Sequence, residues 1–237
     1  MKKHISVLML FVRSSMYRFL LIIFIMAAVQ TVFFTISFRN AEGLFGLDTI
    51  LSASYLGISF AVAFLALCAQ LCLTGCEFGG KHSYTLSRLR VSQKAILIWR
   101  AVCNAGFLIM FWAAQVGIIL AFGGLFTARY PQPQAVMLVF YQNNFLHNLL
   151  PLADWSRIVL NIGWLVVLAV TATDFPIRIN RGQKWTFAPI VGAFFPLSFM
   201  ARIASPITNL FFAALLLTIT ILCLRGDWKG EKNEEFS

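Results

Sequence analysis

The sequence predicts an all-α polytopic membrane protein with six transmembrane helices. It also predicts an N-terminal interfacial helix, an outer re-entrant or interfacial segment, and two cytoplasmic termini. Three observations predict this. Of 237 residues, 59% are hydrophobic and only 12% charged, with a mean hydropathy of +0.80, against roughly 45–50% apolar and about 25% charged in soluble domains. Long runs carry no charge at all. Lys and Arg collect in alternate connections between those runs. A water-soluble globule of this size could not hide so much apolar surface, and the same figures exclude disordered, collagen-like and disulfide-scaffold classes.

A transmembrane helix needs about 20 largely apolar residues to cross about 30 Å of hydrocarbon. Six runs meet or approach that length: 19–38, 49–76, 101–128, 155–175, 185–201 and 203–224. Pro189 and Pro196 interrupt the fifth, and Pro206 lies in the sixth. Orientation follows from the basic residues. With the N-terminus inside, 15 Lys and Arg fall on the cytoplasmic side, while Arg39, Arg129, Arg157 and Arg202 fall outside. The net charge of +10 is thereby a topology signal, and no nucleic-acid partner is expected.

Residues 1–18 set Ile5, Leu8, Leu10, Phe11 and Met16 against Lys2, Lys3, Arg13 and Arg18. That pattern suits an elbow helix lying on the inner leaflet. It does not suit a cleaved signal, because Arg13 and Arg18 break the apolar run and no small-x-small site follows. The outer segment 131–154 is apolar at both ends but carries Gln142, Asn143, Asn144, His147 and Asn148 in its middle. So many polar side chains are costly in hydrocarbon unless they meet water or protein, so an interfacial or re-entrant helix is expected. A seventh span there would put Arg178, Arg181 and Lys184 outside, against the charge rule.

Few motifs carry chemistry. Gly75 to His82 matches G-x-x-x-x-G-K, but His82 stands where a phosphate loop needs Ser or Thr, and a membrane helix precedes it. Cys68, Cys72 and Cys76 form one stripe along the second span. Three thiolates can bind a soft metal, but small residues on one face more commonly let helices approach closely. His4, His82 and His147 have no ligand-spaced partners, and Glu77, Asp154 and Asp174 lie at span ends. With no nucleophile–base pair and no H-E-x-x-H, no enzyme, metal or cofactor is expected. The absence of an intramembrane acid argues against an ion-driven carrier. The abundant Phe suits lipid-facing and packing surfaces, with an aromatic-lined pathway for an apolar substrate as the alternative.

The cytoplasmic connection 81–94 is the most informative part. Placed on a helix, Tyr84, Arg88 and Val91 fall near one face, and Leu86, Leu89 and Arg90 near another. Such a segment can press a Tyr/Leu/Arg surface onto a cytoplasmic partner, or rest as a basic loop on anionic membrane lipid.

The order of parts resembles the membrane subunit of ABC-2-type ABC exporters: an elbow helix, six spans with both ends inside, and an acidic residue followed by Tyr84-Thr-Leu-Ser-Arg-Leu89 after span two. The outer stretch Phe140–Pro151 resembles segments of permeases from anaerobic Gram-positive bacteria. Arg88-Leu-Arg-Val91 lacks the Thr-Pro or Ser-Pro turn frequent in the family at this point. The resemblance implies that 81–94 is a coupling segment seated in a separate cytoplasmic ABC ATPase. Tyr84, Leu86, Arg88, Leu89 and Arg90 would make the contact, and Glu77 would form a helix-end ion pair. It further implies a non-catalytic permease subunit in a bacterial plasma membrane, working with a second permease subunit, identical or homologous. The readings from other classes are a non-transport immunity or sensor protein and a secondary carrier.

Overall fold

The computed structural model describes residues 2–40, 46–74, 92–130, 133–151, 154–180, 188–200 and 205–234. Among them all regular structure is helical: α1 Lys2–Asn40, α2 Leu47–Ala53, α3 Leu56–Leu73, α4 Gln93–Arg129, α5 Pro133–Gln142, α6 Asn144–Leu149, α7 Trp155–Asn180, α8 Ala188–Met200 and α9 Pro206–Glu234. Five helices are long and apolar enough to cross a membrane, at Leu8–Asn40, Leu56–Leu73, Ala95–Arg129, Trp155–Ile179 and Pro206–Arg225. The chain is therefore a polytopic helical membrane protein. The run expected to span at 185–201 differs from these, since its 13-residue helix α8 is only about 20 Å long.

Three expectations are corrected. No elbow turns at Arg18. Helix α1 continues through it, because Lys2–Asn40 holds neither Gly nor Pro. Arg13 and Arg18 are exposed on the unbroken helix while Ser15 and Phe19 are buried. The run 49–76 is split into α2 and α3 at Ser54 and Tyr55. Tyr55 takes the left-handed conformation at φ 49° and ψ 33°, and Ser54 turns its hydroxyl back onto the Ile50 carbonyl at 2.6 Å. The outer segment is likewise broken. Asn143 ends α5 and caps α6, its side-chain oxygen accepting from the amides of Phe145 and Leu146 at 3.1 and 3.3 Å.

Contacts fix the helix directions. Gln30 meets Ser59, and Gln70 meets the Ser15 carbonyl, so α1 and α3 are antiparallel. Phe19 meets Phe107 and Phe34 meets Phe122, so α1 and α4 are parallel. Helix α7 opposes α4 and α8 but runs with α9, since Ser156 meets Asn209 and Gly163 abuts Ala213 and Leu216. The start of α1 and the end of α9 therefore lie at one end of the bundle, which also carries Arg13, Arg18 and Arg100; we call it the basic end. Helices α2, α5 and α6 lie at the other end.

Helix α7 is the centre, packed against α3, α4, α8 and α9. Much of the Phe content fills the interior. Phe34 stacks on Phe122 at 4.2 Å and Phe64 on Phe195 at 4.1 Å. Phe60 touches the rings of Phe111, Phe145 and Phe199. Of the cysteine stripe, Cys68 packs as a small side chain does, since a Cβ on Gly192 of α8 would lie 3.5 Å from its Cβ, while Cys76 lies outside the described residues.

Candidate functional site

Every residue expected at the ATPase contact, Tyr84, Leu86, Arg88, Leu89 and Arg90, and also Glu77 and the Gly75–His82 run, lies outside the described residues. What frames them is visible. Helix α3 ends at Leu73, and α4 starts behind an N-cap made by Ser92, whose hydroxyl accepts from the Ala95 amide at 3.4 Å. Both ends are tied to α1. Gln70 donates to the Ser15 carbonyl at 3.0 Å, and Arg100 of α4 lies over the Phe11 ring at 5.9 Å while reaching the Leu71 carbonyl at 3.5 Å. A load applied where α3 passes into α4 is thus shared by three helices.

Deeper in the bundle lies a layer of buried amides. Gln30 of α1 and Gln115 of α4 are both fully buried. Gln30 donates to the Gln115 side-chain oxygen at 3.0 Å and to the Ser59 hydroxyl of α3 at 2.9 Å. The Gln30 Oε1 and Gln115 Nε2 atoms have no partner. Nearer the basic end, Asn104 donates to the Thr173 hydroxyl at 3.0 Å. Polar side chains inside spans are costly and mark functional or structural contacts.

The opposite end holds a third layer. Arg157, counted among the outer charges at the start of the run 155–175, is 2% exposed in the first turn of α7. It donates to the Ser198 carbonyl at 2.6 Å and lies 5.5 Å over the Phe199 ring. Asn148 of α6 donates to the Phe199 carbonyl, and Asn161 of α7 to the Asn148 carbonyl, both at 2.9 Å. The physical reason is that a helix end leaves carbonyls without intrahelical donors. Helix α8 stops inside the bundle, and Arg157 and Asn148 supply the donors.

Asp174 is a further correction. It belongs to the body of α7 rather than its end, is 3% exposed, and pairs with Arg178 one turn on. His147 and Asp154 pair at 2.9 Å on the surface between α6 and α7. Among the described residues no group of His, Cys, Asp and Glu is placed to hold a metal ion. Sequence reasoning weighed intramembrane carboxylates and passed over the amides. Gln30, Gln70, Asn104 and Gln115, each alone in an apolar run, were the available signal.

No family model, curated protein or solved structure matches the chain.

Proposed function

We propose that this chain is the transmembrane permease subunit of an ATP-driven ABC transporter of the ABC-2 type, working as an exporter in a bacterial plasma membrane. The observation that carries the reading is the gathering of connections at the basic end. The α3–α4 connection departs from and returns to the end where α1 begins and α9 finishes, and the α3 and α4 termini there are bonded to α1. A cytoplasmic ATPase gripping 81–94 through Tyr84, Leu86, Arg88, Leu89 and Arg90 would therefore move three helices together. Because α7 and α9 run parallel, the chain between them must recross the bundle. We assign that sixth crossing to α8 with its flanking residues, which leaves both termini cytoplasmic.

The interior of one bundle is filled with aromatic rings, so the substrate path lies between two permease units, identical or homologous. ATP-driven closure of the ATPase pair biases a two-state rocking of the units, because nucleotide binds one state more tightly. Asp174 does not by itself turn the reading towards an ion-driven carrier, since one oxygen of its carboxylate is held by Arg178.

The test is R88D/L89D in the complex reconstituted with its co-purified ATPase. Substrate-stimulated ATP hydrolysis is abolished while membrane insertion is normal. Unchanged hydrolysis rules out the contact. Full function of the chain with no ATPase favours the immunity or sensor reading, and transport that needs an ion gradient but no ATP favours the carrier.

A further inference from the structure

At the end opposite the basic one, the break between α2 and α3 faces the break between α5 and α6. Between them opens a cleft of about 390 Å³, lined by Asp48, Ser52, Tyr55, Gln142, Asn143 and Phe145 among others. That volume lies in the usual range for small-molecule sites. Its floor is built rather than accidental. Asn143 donates to Asp48 Oδ1 at 3.2 Å and to the Ser52 hydroxyl at 3.1 Å, while its own side-chain oxygen caps α6.

Asp48 is the informative group. Three carboxylates have described side chains. Asp154 pairs with His147 and Asp174 with Arg178. Asp48 alone has no cationic partner among the described residues, its oxygen meeting only the neutral Asn143 amide. It is half-buried at the cleft wall, where its field is less screened than on open surface. Two aromatic side chains complete the wall. Tyr55, in the left-handed conformation, is 60% exposed, and Phe145 also lines the cleft. A carboxylate, amide and hydroxyl oxygens, and aromatic faces are the chemistry that holds an organic cation.

We infer that this cleft is a binding site for an ammonium or guanidinium group, free or carried on a peptide, with Asp48 as its counter-charge and Tyr55 and Phe145 as its aromatic walls. The inference does not need an ATPase at the basic end. It rests on the sidedness reading only for the statement that the cation arrives from outside the cell.

The experiment places a cysteine at Asn144, which lines the cleft, in the full chain with its five native cysteines replaced by serine. The protein sits in lipid nanodiscs, where both faces are open, and its reaction rate with a maleimide is measured. Nα-acetylarginine amide at about four times its Kd slows the reaction about fivefold, since protection follows one plus the ratio of ligand to Kd. Nα-acetylcitrulline amide, a neutral isostere, gives no protection. D48N removes the protection while keeping an acceptor for Asn143, and D48E retains part of it. Equal protection by Nα-acetylcitrulline amide, protection that survives D48N, or none from any cation overturns the inference. Acetylated glycyl-arginyl-glycine amide, with the same single guanidinium, separates the sources: stronger protection than by Nα-acetylarginine amide assigns the cation to a peptide, and equal protection to a free cation. Repeating the labelling on intact cells with an impermeant maleimide tests sidedness separately.

Discussion

Arg157 and Ser198 join the first turn of α7 to the last turn of α8 through a 2.6 Å bond from Nη2 to the carbonyl oxygen. Nε and Nη1 of the same guanidinium have no partner, so the group is both useful and costly. The bond from a charged donor contributes about 1.5–3 kcal/mol, and the stack over Phe199 adds about 1 kcal/mol or more. These outweigh the two unpartnered nitrogens if the carbonyl it serves has no other donor. R157M should therefore lower stability by about 1 kcal/mol net. R157K should not restore it, because a compact ammonium cannot both stack and reach. Thermal unfolding in detergent, followed by tryptophan fluorescence, reads the change. A higher midpoint for R157M would mean that burial of the charge dominates.

The Gln30–Gln115 pair makes a separable prediction. Q30L alone leaves the Gln115 oxygen buried without its donor, and Q115L alone leaves Gln30 with only Ser59. The double variant removes both orphaned amides and fills the layer with Leu. The two changes should be non-additive by about 0.5–1.5 kcal/mol, with the double variant more stable than the sum of the singles. A double-mutant cycle on unfolding in mixed micelles measures it. Strict additivity would show that the amides do not depend on one another.

The positions of the long apolar helices were legible because hydrocarbon thickness imposes length and composition directly, as at Trp155–Ile179. The breaks were not. Nothing at Ser54-Tyr55 signals a turn, since neither Gly nor Pro is present, and α2 leaves the line of α3 to pack against α1 and α5. The elbow at Arg18 was expected from apolar residues set against basic ones, yet a cation on an exposed face gives a helix no reason to bend. Arg157 was counted only as an outer charge because sequence cannot show that a neighbouring helix ends beside it. The same limit applies to the site. The pattern at 81–94 speaks of a partner surface, whereas the cleft around Asp48 needs two helix breaks from distant parts of the chain to meet.

The Tyr55 backbone can be tested apart from its side chain. Y55A and Y55G both delete the ring and its edge contact with Phe33 at 6.3 Å, but only Gly takes φ 49° without the Cβ clash. The Gly variant should be more stable than the Ala variant by about 1 kcal/mol. Elsewhere in a helix the order is reversed, with Ala ahead of Gly by about 1 kcal/mol. The sign of the difference in unfolding midpoint therefore reports whether residue 55 holds the left-handed conformation.

The meeting of α3 and α8 gives the last prediction. A Cβ at Gly192 would stand 3.5 Å from Cys68 Cβ and 3.6 Å from its Sγ, ordinary contact distances, so G192A should fold with little change. A larger side chain has nowhere to go, because Phe64 and Phe195 are already stacked at 4.1 Å on the same interface. G192L should cost about 1–3 kcal/mol by overpacking. Shrinking the opposing residue should recover part of that, so C68A/G192L should unfold later than G192L alone. Single-site cost without recovery by C68A would place the clash elsewhere and remove the close approach of α3 and α8 as the reason for small residues at both positions.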